Sequence, residues 1–557
     1  MPEVARWDEV IRGATVVDGT GRAGFAADVA LAEGRIAAIG DIADRGRTET
    51  DARGRVLAPG FIDIHTHYDA QLCWDGLATP SPLHGVTTIC TGNCSLSVAP
   101  VRGDATGRIV GMFQMIEDIR EATFDAGVPW SWESFAEYLS HLEPELAINV
   151  MPLVGHSTLR LYVMGEASQE RVATDDELAA MCDLLREAIA AGARGFSTSY
   201  LDVDENLRPA PSCFADLREK IALAKAAREA GGSVFGAVPN AGNAEEMETC
   251  IRELGEISRA SGILCTLQPI IFLPTLPDLW KKTLGWLSEE ARRGARIYGQ
   301  SPPGPMNLNL RLDETFFSFF LLPTWGQIMS RPVDERAALL AEPERREALR
   351  EEGETGLSLF LPKAWIGETY SEVNAGLTGR RLFDVAEERG QHPVDTLIEI
   401  ALADDLHTEF AIRAPMHGSE EIAEEILRHP QMLVGASDAG AHLSQFCGAG
   451  DACYLIAEYV RKRGVFSLEE AVHRLTGQPA ELFEIEGRGQ IAKGYAADLV
   501  LFDPALIDLG PERFVRDLPG DATRYVREPT GVHGVWVAGE KVVDEGAYTK
   551  ARPGRMV

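Results

Sequence analysis

The chain lacks the features that mark membrane-spanning and secreted proteins. Its 557 residues contain no run of about 18 apolar residues, so no helix is expected to span a membrane. The amino terminus has no basic segment followed by an apolar one, so we predict no secretion signal. Its nine cysteines, an odd number scattered along the chain, favour reduced thiols in a cytoplasmic protein over a disulfide framework.

Positive charge is also scarce. Lysine and arginine number 53 against 85 aspartates and glutamates, which gives a formal net charge of −32 at pH 7. An excess of this size repels nucleic acids and anionic membrane surfaces. We therefore expect a small-molecule partner and neither nucleic acid nor membrane, and the sequence leaves homo-oligomerisation open.

The patterns that are present predict an α/β protein. Residues 1–58 and 481–557 contain short strands with period-two apolar residues and glycine-rich turns, and we expect the two ends to pair into one small β-sandwich. Residues 59–480 alternate eight short apolar strands with amphipathic helices, the pattern of a (β/α)8 TIM barrel. The functional residues of such a barrel lie at the carboxyl ends of its strands.

An aromatic and then charged segment at about 305–365 interrupts this alternation. One interpretation is a helical insertion that packs its aromatic rings against the barrel. The other is a lid whose rings wall an apolar substrate pocket. The rings in question belong to Phe316, Phe317, Phe319, Phe320 and Trp325.

Two histidines stand one residue apart at the end of an apolar run, in "FIDIHTHYD". On an extended strand, residues i and i+2 face the same side, so His65 and His67 can point at one metal ion. Buried structural histidines are the alternative. The spacing and the position at a strand end favour a metal site.

Four motifs together, "LAPGFIDIHTHYD", "GVTTICTGNCSLSVAP", "LVGHSTLR" and "GASDAGAHL", resemble the amidohydrolase superfamily, specifically the branch around N-acyl-D-amino-acid deacylases. This resemblance implies that His65, His67, Cys94 and Asp438 bind a metal. Imidazole, thiolate and carboxylate suit zinc or iron, and Asp438 can also act as the general base. A core thiol and a helix N-cap are the structural alternatives for Cys94 and Asp438.

The resemblance breaks at the fifth and sixth strands, where family hydrolases supply one histidine each. The corresponding stretches, "GSVFGAVPNAG" and "GILCTLQPIIF", contain none, and no histidine lies between His156 and His392. The fourth-strand stretch "GARGFSTSYLD" has no lysine that could serve as a carboxylated bridge. The two-metal constellation of the hydrolases is therefore incomplete.

A set of two histidines and one carboxylate can also hold ferrous iron. In "MIEDI", "VGHSTLRLYVMG" and "SDAGAHL" the chain resembles TIM-barrel nonheme diiron monooxygenases of the platensimycin-pathway diterpenoid hydroxylase type. That resemblance implies one or two iron ions, a CoA-linked, terpenoid-like acid as substrate and an external electron donor. The leading hypothesis is thus a monooxygenase. The alternatives are a zinc-dependent amidohydrolase acting on N-acyl-D-amino acids and a noncatalytic binding protein.

A second iron would need further ligands, for which Cys94, Glu117, His156 and His442 are the candidates, each with a structural role as its alternative. His442 would share the face of Asp438 if "AGAHL" began a helix. Tyr298 aligns with a substrate-contacting tyrosine of the deacylases, and a core tyrosine is the alternative.

Overall fold

A computed structural model of the protein describes residues 6–103, 105–314 and 316–557, without the side chain of Phe317. The strands, in chain order, are β1 Trp7–Val16, β2 Phe25–Ala32, β3 Arg35–Gly40, β4 Gly46–Asp51, β5 Val56–Pro59, β6 Phe61–Asp63, β7 Val86–Thr91, β8 Asn149–Gly155, β9 Gly195–Ser199, β10 Val234–Val238, β11 Leu264–Leu267, β12 Ile297–Ser301, β13 Met306–Leu310, β14 Ala364–Ile366, β15 Phe410–Met416, β16 Met432–Val434, β17 Leu499–Phe502, β18 Glu512–Leu518, β19 Ala522–Arg527, β20 Val532–Val537, β21 Glu540–Asp544 and β22 Ala547–Tyr548.

The helices, in the same order, are α1 Thr106–Glu117, α2 Glu121–Gly127, α3 Phe135–Leu142, α4 His156–Met164, α5 Asp175–Ala191, α6 Leu217–Glu229, α7 Ala244–Ser261, α8 Leu279–Arg292, α9 Phe317–Phe320, α10 Pro323–Met329, α11 Val333–Ala341, α12 Arg346–Gly356, α13 Leu382–Arg389, α14 Pro393–Ala403, α15 Glu420–Leu427, α16 Asp451–Tyr454, α17 Leu468–Leu475 and α18 Gly477–Leu482. Within the described ranges, no helix combines the length and the apolar character that crossing a membrane requires.

Eight parallel strands form the barrel sheet, in the order β16-β12-β11-β10-β9-β8-β7-β6. The first and last of them meet just beyond their carboxyl ends. There, Thr66 forms a parallel bridge with Ala439, and the backbone N–H of His67 donates to the carbonyl of Ala439 at 2.8 Å. The predicted α/β barrel is confirmed, and its carboxyl end brings the His65 and Asp438 segments together.

Strands from both ends of the chain form a second, nine-stranded sheet, in the order β22-β21-β20-β17-β5-β1-β2-β3, with β4 beside β1. The two halves join where β5 pairs antiparallel with β17. Leu57, Leu499 and Trp536 are buried together in the core of this sheet. The predicted pairing of the two chain ends is therefore confirmed.

The segment between β12 and α15 forms an extra layer with a core of its own. Strands β13, β15 and β14 make a small antiparallel sheet in that order. The core that packs against this sheet and helices α9–α14 includes residues from Leu308 to Ile412, so the insertion extends past residue 365. Local sequence patterns do not reveal this limit, because β15 reaches its partner β13 from far along the chain.

The aromatic residues of the insertion are structural. Phe316 and Trp325 are fully buried in its core, where the Phe316 ring lies 5.3 Å from that of Phe360 and Trp325 stacks on Phe319 at 4.5 Å. This burial corrects the prediction that Phe316 and Trp325 wall a substrate pocket: the insertion needs them to fill its own interior. The Phe317 side chain lies outside the described residues.

Candidate metal centre

The histidine pair lies just beyond β6, against the turn that follows β16. The Ser437 hydroxyl donates to the carbonyl of His65 at 2.9 Å, while the Ala439 carbonyl accepts from the backbone of His67. Asp438, between these two anchors, has a left-handed backbone with φ of 53°. These two hydrogen bonds hold the turn after β16 against the segment that carries His65 and His67.

A second turn, after β7, carries Cys94. Gly92 has φ of +77°, and a Cβ there would lie 1.9 Å from the carbonyl oxygen of Leu153, so only glycine fits. The Asn93 amide donates to the carbonyl of Thr66 at 3.1 Å, which ties this turn to the histidine segment. Cys94 itself is left-handed, with φ of 52°.

Four side chains converge at this point. His65 Nε2 and His67 Nε2 lie 3.2 Å apart, and Cys94 Sγ lies 3.6 and 3.7 Å from them. Asp438 Oδ1 is 3.0 Å from His65 Nε2 and 3.7 Å from His67 Nε2. In the part of the chain that the structure describes, His65, His67 and Cys94 are the one group of three such ligands whose donor atoms all lie within 4.8 Å.

These separations fit one tetrahedral ion. Zinc bonds of about 2.0–2.1 Å to nitrogen and about 2.3 Å to sulfur place two ligand nitrogens about 3.3 Å apart and a nitrogen and a sulfur about 3.6 Å apart. The observed distances of 3.2, 3.6 and 3.7 Å agree with these values. His65, His67 and Cys94 could therefore hold a single zinc ion, with Asp438 beside them.

The protonation states also suit a cation. Burial raises the pKa of the Asp438 carboxyl, but hydrogen bonds from His65 and His67 outweigh it and hold the pKa well below its usual range. Burial lowers the pKa of His67 to about 4, against the opposing effect of Asp438. A neutral imidazole and an ionised carboxylate are the forms that bind metal.

Asp202 is a site residue that the sequence analysis did not single out. It follows β9, and its Oδ2 is buried without a hydrogen-bond partner among the described residues. Burial raises the pKa of Asp202 to about 6, and the charge of Asp438 adds to the rise. Burial likewise raises the pKa of the Cys94 thiol, to which Glu117 and Asp202 contribute. The sequence signal that could have identified Asp202 is its position as a carboxylate just past β9, the fourth barrel strand.

Glu117 and His442 border the centre from one side. Glu117 ends α1, and its Oε1 lies 3.2 Å from Nδ1 of His67, on the opposite side of the ring from Nε2. The His442 ring stacks on Phe446 with centroids 5.5 Å apart. The helix on which His442 would share the face of Asp438 does not form: residues 441–445 form a turn, in which His442, like Asp438 before it, has positive φ.

His156 lies away from the metal centre. Its Nε2 is 2.9 Å from Glu219, its Nδ1 is 3.0 Å from Thr198, and Arg160 donates to the same Glu219 carboxylate at 2.6 Å. His156, Arg160 and Glu219 are completely buried. These contacts use both ring nitrogens, Nε2 toward α6 and Nδ1 toward β9, which corrects the prediction of His156 as a metal ligand.

Tyr298 also lies outside the centre. It is part of β12 and packs inside the barrel against a cluster that includes Ile62, Leu264 and Phe483. It is half-buried against this core, which favours the core alternative over the predicted contact with substrate.

A pocket of about 110 Å³ opens beside Asp438. Its walls come from the loops that follow β11, β12 and β16 and from the β18–β19 hairpin. Asp451, Glu512 and Arg527 are its other charged lining residues, and Arg527 donates to Glu512 at 2.5 Å. A small molecule in this pocket would lie against Asp438.

The model of the amidohydrolase family matches residues 48–543. The chain belongs to this family. It is 30% identical to the D-aminoacylase of Alcaligenes xylosoxydans xylosoxydans, covering 99% of this chain and 97% of the relative, and 30% identical to the N-acyl-D-aspartate deacylase of the same organism, covering 99% and 95%.

Solved structures agree with these relatives. N-acyl-D-glutamate deacylase from Bordetella bronchiseptica, bound to zinc and a phosphonate inhibitor, is similar with a TM-score of 0.67 and 26% identity, covering 99% of each chain. A D-aminoacylase structure is similar with a TM-score of 0.66, 26% identity and the same coverage.

These findings correct the leading hypothesis. The monooxygenase prediction is wrong, because the relatives that share the whole chain are deacylases. The predicted CoA-linked diterpenoid substrate and electron donor depended on the monooxygenase and lose their support. Iron is also unsupported, because the similar deacylase structure contains zinc. The absence of histidines on β10 and β11 does not indicate oxygen chemistry, because an incomplete set of two-metal ligands is not by itself evidence for an oxygenase.

Proposed function

We propose that the protein hydrolyses the amide bond of an N-acyl-D-amino acid, releasing a carboxylic acid and a free D-amino acid. The observation that carries this proposal is the convergence of His65, His67 and Cys94 within 3.7 Å of one another, with Asp438 at 3.0 Å from His65 beside a small pocket. The deacylase names of its full-length relatives supply the substrate class.

The proposed centre holds one zinc ion, with His65, His67 and Cys94 as ligands and Asp438 beside them. The ends of β10 and β11 carry Val238 and Leu267, and Gln268 follows. A related D-aminoacylase is described as having a binuclear centre in which one metal activates and the second attenuates. That precedent supports hydrolysis by a single ion in this chain.

Asp438 is the proposed general base. A bound zinc ion supplies Lewis acidity, which polarises a carbonyl and makes a water molecule easier to deprotonate. Asp438 Oδ1 accepts the proton of the attacking water as its oxygen bonds to the amide carbon. Asp438 then delivers that proton to the departing nitrogen as the carbon–nitrogen bond breaks. Its side chain is 22% exposed and lines the pocket, so it can reach the substrate.

The test is amine release from a panel of N-acyl-D-amino acids and their L enantiomers, without oxygen and with zinc supplied. We expect release from D substrates, because hydrolysis needs no oxidant. Asp438→Asn should lower kcat by about 10²–10⁴-fold, the contribution typical of a general base. Absence of release from every D substrate, or an unchanged rate in Asp438→Asn, would contradict the proposal.

A further inference from the structure

The Glu117 carboxylate lies against the outer nitrogen of His67. Its Oε1 is 3.2 Å from His67 Nδ1, and both side chains are 1% exposed. Both atoms are buried, and neither has a hydrogen-bond partner among the described residues. A buried ring nitrogen and a buried carboxylate oxygen, neither of them hydrogen-bonded, therefore face each other at ion-pair distance.

Backbone contacts from the loop that follows Asp438 hold Glu117 in this position. The carbonyl of Glu117 accepts from the backbone N–H of His442 at 2.6 Å. The next residue, Asp118, is left-handed with φ of 57°, and its Oδ2 accepts from the backbone of Ser444 at 3.0 Å. Both contacts fasten the end of α1 to the loop that follows Asp438, so the carboxylate and the metal-binding turn are positioned together.

We propose that Glu117 is a positioning residue that orients His67 toward the metal, an inference that rests on the metal centre of the proposed function. A ligand imidazole that donates its outer N–H to a carboxylate is fixed in one tautomer and one ring orientation, and its other nitrogen becomes more basic. With Nδ1 of His67 facing Glu117, Nε2 is the nitrogen that faces Cys94 and Asp438.

The geometry separates this role from that of a metal ligand. Glu117 Oε1 approaches the edge of the ring opposite to Nε2, the atom that lies 3.2 Å from His65 Nε2. One ion cannot contact both Nε2 and an oxygen at Nδ1. In the described part of the chain, the carboxylate in ion-pair contact with His65 is Asp438, at Nε2, so Glu117 acts on one of the two rings.

The experiment measures zinc affinity by competition with a chromophoric chelator, with no substrate present. Glu117→Ala should weaken zinc binding about 10–100-fold, the usual effect of losing such a partner. Glu117→Gln keeps an oxygen that can accept from Nδ1, so its loss should be smaller. Glu9→Ala is the control, because Glu9 is a buried glutamate that accepts from Trp536 in the terminal sheet. It should lower Tm without changing zinc affinity.

Wild-type affinity in folded Glu117→Ala would overturn the proposal, and so would a fall from two bound zinc ions to one, which would make Glu117 a ligand. Tm reports whether each variant is folded. Should Glu117→Ala fail to fold, the comparison of Glu117→Gln with wild type decides: weaker zinc binding supports the role, and unchanged binding overturns it. Because turnover is not measured, failure of the proposed hydrolysis would leave this result standing.

Discussion

Three residues at the centre have backbone conformations that their residue types rarely adopt. Cys94, Ser95 and Asp438 have φ of 52°, 64° and 53°, in the region that favours glycine. Such residues cost roughly 1–3 kcal/mol each and persist where surrounding contacts enforce them. Here those contacts come from Asn93 and Ser437. The sequence predicted which residues meet, but neither cysteine nor aspartate signals this backbone geometry.

Gly92 gives a direct test of that geometry. Gly92→Ala should destabilise the protein by at least about 1 kcal/mol and weaken zinc binding, because the new Cβ would meet the Leu153 carbonyl at 1.9 Å and displace Cys94. Gly54→Ala is the matched control, since Gly54 has φ of +78° with nothing within 4 Å. Denaturant unfolding and zinc competition measure the two effects. Equal zinc affinity in both variants would show that the turn tolerates the side chain.

At the scale of elements, the barrel strands were predictable and the insertion was not. The alternation of short apolar strands with amphipathic helices predicts the barrel, and the positions of the His65, Cys94 and Asp438 motifs after its strands indicate its carboxyl end. The limit of the insertion depends on the pairing of β13 with β15, which no local pattern encodes. Phe316 and Trp325 were predicted to line a pocket because the sequence does not reveal that the insertion has a core of its own, in which both are buried.

The burial of Trp325 predicts a stability effect. Trp325→Ala should lower the free energy of unfolding by about 3–5 kcal/mol, the usual cost of emptying an aromatic site, and leave KM unchanged. Trp365→Ala, a change on β14 at a ring that is 39% exposed, is the control and should cost much less. Thermal unfolding and steady-state kinetics distinguish them. If Trp325→Ala raised KM without lowering stability, the interpretation of the insertion as a lid over the substrate pocket would be supported instead.

The buried His156, Arg160 and Glu219 network links α4 to α6 and predicts acid sensitivity. Burial raises the pKa of Glu219, but His156 and Arg160 outweigh it and lower the pKa to about 2. A lowered carboxyl pKa stabilises the fold above the ordinary value of about 4.5 and loses that effect as pH falls toward 2.

Glu219→Gln should therefore cost about 3–5 kcal/mol at pH 7, because it leaves Arg160 buried without its countercharge. The difference from wild type should shrink at pH 3. Urea unfolding at both pH values measures it, with Glu166→Gln, a change at an exposed partner of Arg108, as the control. An equal difference at pH 7 and pH 3 would contradict this account of the network.

At the scale of the whole molecule, the centre is assembled from segments that lie far apart in the chain. His65 and His67 follow the first barrel strand, Cys94 the second and Asp438 the eighth, while Glu117 comes from α1. The resemblance of these motifs to the deacylases was enough to predict that the side chains meet. It was not enough to predict the reaction, because one ligand set serves both hydrolysis and oxygen chemistry. The whole-chain relatives are deacylases, which counts against the oxygen chemistry.

The most direct test of the central claim is the anaerobic rate of N-acyl-D-amino acid hydrolysis as zinc is titrated into metal-free protein. The ligand set of His65, His67 and Cys94, with Asp438 beside it, fits one ion. We therefore predict that the rate rises linearly and reaches its plateau at one equivalent of zinc per chain. A plateau that requires two equivalents, or no hydrolysis at any zinc concentration, would contradict a single-ion deacylase.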